Sequence, residues 1–256
     1  MILIVTMYPL LWMLCGSINT IPQMGVMTVI PAGITFEKYQ RLFENSPFLR
    51  YMTNTLIYAT GVTLLSVLFN SMAAYALARL HFPGKNIIFL TILSTMMIPF
   101  SVTMIPLFII VRSMKLVNSL GALIVPGMAS GFGIFLLRQF YLGIPTDLED
   151  AAKIDGMSYQ GIFFFIIVPL SKPIILTAAV LSFLGAWNNY LWPLIINSKR
   201  EVWVLTTGIA NFVSEQRIID WNMILTGSSV CVFPLAIMFA IFQRQLIEGV
   251  KLSGIK

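Results

Sequence analysis

Six long apolar runs, each bounded by charged or turn-forming residues, constrain this chain more than any other feature: 1–15, 51–78, 86–111, 116–137, 173–196 and 221–242. A helix needs about 20 consecutive apolar residues to cross the hydrocarbon core of a bilayer. The runs are long and do not alternate strictly, which favours a helical bundle over a membrane β-barrel. Several contain proline (Pro99, Pro106, Pro126, Pro234), which membrane helices tolerate because neighbouring groups re-satisfy the freed backbone. Composition agrees. The chain is 58% hydrophobic and 10% charged, where a soluble domain is about 25% charged, and its mean hydropathy is +0.88. So few charges cannot cover a surface in water. The expected fold is all-α, a polytopic membrane protein with six transmembrane helices, forming one transmembrane domain over 1–256.

The first run is short and starts at Met1. It has no basic leader and no small-x-small cleavage site, so it reads as a membrane helix, its start expected upstream of Met1, rather than a signal peptide. The net charge of +6 does not indicate nucleic acid, because the basic residues are scattered and only Lys199-Arg200 are adjacent. Positive charge here fits loops beside anionic lipid. Cys15 and Cys231 lie in apolar runs without CxxC spacing and read as small hydrophobes. With one histidine, His81, zinc clusters and His-based triads have little to build on. Six spans place both termini on one side of the membrane, but the basic residues divide evenly between the two sides, so the positive-inside rule selects no orientation.

The most charged long segment is 138–172. Pro145 ends the preceding helix, and Thr146-x-x-Glu149 fits a capping box. Glu149 and Asp150 would stand in a first turn, where the helix dipole favours acids. Gly156 suits the left-handed position that ends a helix, and Ser158 can cap a second one. The segment therefore reads as two short helices with a glycine bend at the membrane surface. Physics alone allows an ordinary amphipathic surface helix and does not say what it touches.

The residues themselves resemble a known pattern. Asp150-Ala151-Ala152, three residues, Gly156, nine residues, then Ile166-Ile167-Val168-Pro169 is similar to the "EAA" signature of permease subunits of bacterial ATP-binding-cassette importers. Asp150 replaces the usual Glu and Val168 the usual Leu. Asn54-Thr55-Leu56, Ala73 through Arg79, Phe82-Pro83-Gly84-Lys85, Phe135 through Phe140, Ile144-Pro145 and Trp187-Asn188-Asn189-Tyr190-Leu191-Trp192-Pro193 resemble the carbohydrate branch, related to the smaller permease of the maltose importer. With a tail ended by Gly249 also similar, the likeness runs from about residue 50 to the end. It implies a subunit of the bacterial inner membrane with cytoplasmic termini and a cytoplasmic coupling loop at 142–171. In that loop Glu149, Asp150, Ala151, Ala152, Asp155 and Gly156 would dock a separate ATPase. The implied partners are a second homologous permease, two copies of the ATPase, an extracytoplasmic solute-binding protein and the lipid bilayer. ATP and Mg would be used by the ATPase, with no cofactor in this chain.

The chain carries no P-loop; Pro83-Gly84-Lys85-Asn86 lacks the first glycine and the hydroxyl residue. Asp147, Glu149, Asp150 and Asp155 have no partner nucleophile and read as a solvated or docking face, so no catalytic or metal site is expected. No Asp or Glu falls inside a run, which disfavours a proton-coupled carrier. Trp187, Asn188, Asn189 and Tyr190 set neutral amides beside aromatic faces, which suits a sugar's hydroxyls and C–H faces. They serve equally as interhelical packing. Thr63, Ser66 and Asn70 form a polar stripe expected to pack on another helix. The expectation is an importer permease for a carbohydrate or related polyol. The alternatives are a non-sugar solute or a stand-alone carrier or channel.

Overall fold

The computed structural model describes the backbone of residues 2–20, 30–44, 46–215 and 221–254, and the side chains of 5–20, 30–44, 46–211 and 221–243. Asp220 and the side chains of the tail around Gly249 lie outside the described residues. The fold is helical: α1 (Ile2–Ile18), α2 (Glu37–Glu44), α3 (Phe48–Arg79), α4 (Lys85–Thr95), α5 (Phe100–Ser113), α6 (Gly121–Ile124), α7 (Gly131–Leu142), α8 (Asp147–Ile154), α9 (Tyr159–Ile162), α10 (Val168–Leu170), α11 (Lys172–Trp187), α12 (Leu191–Ile196), α13 (Leu205–Glu215) and α14 (Trp221–Gly254). A π-helical turn, Phe163–Ile167, joins α9 to α10.

Among the described residues, three stretches are long and apolar enough to cross a membrane: Phe48–Arg79, Gly121–Leu142 and Trp221–Gln243. Two bent pairs bring the number to five if each is one span. Lys85–Thr95 meets Phe100–Ser113 at 105°, and Tyr159–Leu170 meets Lys172–Trp187 at 83°. α1 contributes a shorter apolar helix, Val5–Ile18. The bends have identifiable causes. Pro99 caps α5 with φ −59° and ψ 138°; it has no N–H to give, and its ring turns the preceding residue away from helix. At the other bend Ser171 leaves helical geometry and Pro173 stands in the first turn of α11. The apolar run 173–196 is not one helix either. α11 ends at Trp187, where the Asn188 amide donates to the Leu184 carbonyl at 3.0 Å, and the chain restarts at Leu191.

By backbone contacts the chain groups into two compact units. The first holds Met1–Leu56 and Asn189–Ala240. Here the start of α3 is stapled to the segment before α13. Asn54 donates to the carbonyls of Glu201 and Trp203 (3.0 and 2.8 Å), and the Leu205 N–H donates to Thr55 Oγ1 at 2.8 Å. A Cβ on Gly208 would lie 2.3 Å from the Tyr51 ring, so only glycine allows this approach. Asn222 and Thr226 of α14 donate to the carbonyls of Asn19 and Ser17.

The second unit holds Ile57–Asn188 and Ile241–Lys256. Its core gathers the last turns of α3 (Ala74, Tyr75, Leu77, Ala78), α7 (Ile134, Leu137, Tyr141), and Ile162, Phe163 and Ile167 around the π turn, with Ile174 and Ala178 of α11. The polar stripe on α3 is used in packing. Ser66 donates to Ser182 at 3.0 Å, and Asn70 accepts from the Ser130 N–H at 3.0 Å. Elsewhere large apolar side chains face outward, among them Ile87, Leu90, Ile105, Ile109 and Phe165. Apolar exposure on that scale suits a surface in contact with lipid.

Candidate functional site

The segment from Pro145 to Pro169 forms a helix, a sharp bend and a second helix. α8 carries Asp147, Glu149 and Asp150 in its first turn and Lys153 in its last, the charge order the helix dipole favours. Its end is a Schellman motif. The Gly156 N–H donates to the Lys153 carbonyl (3.0 Å) and the Met157 N–H to the Ala152 carbonyl (2.9 Å). Gly156 has φ +81°, a left-handed conformation that a Cβ disfavours. A Cβ there would meet nothing of this chain within 4 Å, so the backbone angle, not crowding, requires the glycine. Ser158 then caps α9 by accepting from the Gly161 N–H at 3.2 Å.

The expected capping box does not form. Thr146 makes no side-chain cap, and Glu149 does not reach back to the start of the helix. Its carboxylate turns inward onto Arg79, with Nε to Oε1 at 3.0 Å and side chains 8% and 5% exposed. Charge attraction in a site shut off from water outweighs a surface cap, because an unpaired charge there is very costly. The acids of the loop therefore divide. Glu149 is buried, whereas Asp147, Asp150 and Asp155 are exposed.

Arg79, the last residue of α3, also donates to the Ile144 carbonyl ahead of α8. One turn earlier, the Tyr75 ring lies 5.3 Å from Phe163 in the π turn. Two further cations occupy the same end of α3. Arg138 donates to the Leu77 carbonyl (3.1 Å) and rests 3.9 Å over the Phe89 ring; Lys85 donates to Ala78 and Leu80 (3.1 and 3.0 Å). Arg138 and Lys85 thus bond carbonyls at or just past the end of α3, at its negative pole. The sequence had shown Arg79, Lys85 and Arg138 only as parts of resembling motifs. A lone arginine closing a long apolar run was the available signal.

With Glu149 and Ala152 turned in, α8 presents Leu148, Asp150, Ala151, Ile154 and Asp155, then Gly156, outward. Leu148 is 45% exposed and Ile154 87%. Lys153 donates to Asp150 at 2.9 Å, and this hydrogen bond holds its ammonium above the ordinary lysine range. The result is a small mixed face, apolar and acidic, with its backbone fixed at both ends.

The other predicted group is divided between the two units. Trp187 is buried and stacked on Phe183 at 5.4 Å, and Asn188 is exposed at the end of α11. Asn189 and Tyr190 belong to the first unit. The half-buried Asn189 accepts from Thr206 Oγ1 at its carbonyl (2.7 Å) and from the Trp192 N–H at its Oδ1 (3.4 Å). Tyr190 is 41% exposed and lines a cavity of about 150 Å³ with Asn197, Trp203, Thr207 and Asn211. The buried Asn197 Oδ1 has no hydrogen-bond partner among the described residues.

Residues 66–251 match the family described as binding-protein-dependent transport system inner membrane component. The chain belongs to that family. It is a membrane permease component of an ABC-type importer. An arabinooligosaccharides transport system permease protein of Bacillus subtilis is 34% identical over 261 residues, covering 100% of this chain and 92% of that relative. A sulfoquinovosyl glycerol transport system permease protein of Agrobacterium fabrum is 33% identical, over 98% of this chain and 89% of that protein. An sn-glycerol-3-phosphate transport system permease protein of Escherichia coli O6:K15:H31 is 30% identical, over 87% and 82%. A chain from the crystal structure of a bacterial ABC transporter involved in the import of the acidic polysaccharide alginate superposes with a TM-score of 0.85 at 22% identity, covering 95% of this chain and 91% of that one. The permease thus shares that chain's fold. Among its described residues no group of three or more His, Cys, Asp or Glu side chains could hold a metal ion.

Proposed function

We propose that this permease carries a carbohydrate or related polyol, and that the outward face of α8, with the bend at Gly156, seats the ATPase that drives it. The observation that carries the reading is the division of the loop's side chains. Glu149 and Ala152 anchor α8 inward, while Leu148, Asp150, Ala151, Ile154 and Asp155 stand outward with nothing in their own unit to bury them. A fixed helix with an outward apolar and acidic face is what a neighbouring subunit can grip without first ordering it. The loop lies on the cytoplasmic side in this reading, as do both chain ends, and the apolar runs make six crossings. A second permease, two ATPase subunits and an extracytoplasmic binding protein complete the complex.

Sugar or polyol is supported by chemistry common to the solutes in the relatives' names, an arabinooligosaccharide, a sulfoquinovosyl glycerol and a glycerol phosphate. All present hydroxyl groups on short carbon frames. The third also favours a second reading, a polyol phosphate rather than a sugar. Of the four pathway candidates, Asn188 and Tyr190 are exposed and Asn189 half-buried, whereas Trp187 is buried against Phe183. Asn188→Ala and Tyr190→Ala would raise the solute concentration for half-maximal uptake, and unchanged kinetics would assign both residues to packing. For the docking face, Gly156→Asp places a charged side chain at the bend. Transport and ATPase co-purification should both drop. If neither changed, docking at this bend would be wrong.

A further inference from the structure

Three points of the loop converge on one turn of one membrane helix. Arg79 donates to the Ile144 carbonyl before α8 and lies in ion-pair contact with the Glu149 carboxylate within it, and Tyr75, four residues back, meets Phe163 after it. Each of these side chains is nine-tenths or more buried. α8 contributes little else to the core of its unit, Ala152 being its one core residue. The loop helix is therefore not carried by a broad apolar seam. It is held before, within and after α8 by Tyr75 and Arg79.

From this convergence we infer that the Arg79–Glu149 pair is the joint through which displacement of α8 passes into α3, making Arg79 and Glu149 positioning residues for the loop. A helix seated on apolar contacts alone can slide by repacking, because such contacts are non-directional. A buried ion pair resists this, since parting the two charges leaves the carboxylate without a counter-charge in a site closed to water. The carbonyl bond at Ile144 fixes the same guanidinium from a second direction. Its planar fork allows both contacts at once, which a lysine could not reproduce. Pushing or tilting α8 must then move the last turn of α3. Arg138 and Lys85, bonded to carbonyls of that turn, extend the movement to α7 and α4.

The inference rests on the ATPase-docking reading for its driving force, and two measurements separate the two. On the full-length chain in detergent, hydrogen exchange over 147–154 reports the clamp without any ATPase. Glu149→Gln should speed exchange there by about tenfold while 131–142 stays protected; unchanged exchange at 147–154 would overturn the clamp. In liposomes, the complete complex with Arg79→Met and Glu149→Met reports transmission. An apolar pair of similar size in place of a buried ion pair is often neutral for folding. This variant should assemble and hydrolyse ATP but take up about tenfold less solute per ATP. Uptake per ATP equal to wild type would show the pair to be packing only, and failure of the variant to assemble would reduce the pair to a folding requirement; either contradicts the inference. A wild-type complex whose uptake did not depend on the ATPase would instead refute the docking reading, with the exchange result still standing for the clamp.

Discussion

At the scale of single residues, two ion pairs on one short helix should behave differently. Lys153–Asp150 is exposed, with side chains 43% and 61% accessible, and water already solvates both charges. Lys153→Ala should leave the unfolding temperature in detergent unchanged, because an exposed pair of this kind adds little. Glu149→Ala strands Arg79 in a dry site and should cost about 3–5 kcal/mol. Gly156 tests backbone conformation alone, because φ is +81° and the surrounding space is open. Gly156→Ala should cost about 1 kcal/mol, and Gly156→Asn less, since asparagine visits the left-handed region more readily. Equal losses for the two would mean crowding, not backbone angle, selects glycine. The glycine bend and the Ser158 cap were legible in the sequence because both are local, set by residues within five positions. Glu149 was not legible. Its position fitted a capping box, and its real partner lies seventy residues earlier in the chain; no local pattern encodes that distance.

At the scale of elements, the apolar runs marked where helices lie but not where they bend. Run 86–111 contained the proline that marks its break, Pro99, and a second, Pro106, that does not. Periodicity cannot decide whether a proline kinks a helix gently, as Pro106 and Pro234 allow within α5 and α14, or turns the chain by 105° as Pro99 does. The difference is that Pro99 stands at a helix start, preceded by a tight turn of Met96, Met97 and Ile98. Helix approach was likewise hidden in residue identity. Gly208 and Gly185 look alike in sequence, but a Cβ at 208 would strike the Tyr51 ring whereas at 185 it would meet nothing within 4 Å. Gly208→Ala should therefore destabilise by about 1–3 kcal/mol. Gly185→Ala, inside α11, should stabilise by about 0.5–1 kcal/mol through helix propensity. Thermal unfolding of the two variants in one detergent checks both signs.

At the scale of the whole molecule, membrane class was readable from charge scarcity alone, because no soluble surface can be built from it. Function was not. The physics of 138–172 described a capped surface helix and stopped there; the spacing from Asp150 through Gly156 to Pro169 supplied the importer reading, and family membership now stands on residues 66–251. The central claim is that the outward face of α8 touches an ATPase. Site-specific cross-linking tests it most directly. With Cys15 and Cys231 replaced by serine, a single cysteine is introduced as Ile154→Cys, 87% exposed on α8, or as Phe165→Cys, 76% exposed on the apolar turn after it. In membranes holding the complete complex, a short bifunctional thiol–amine reagent should join the residue-154 variant to the ATPase subunit and leave the residue-165 variant unjoined. A cross-link to the ATPase from 165 and none from 154 would contradict the account.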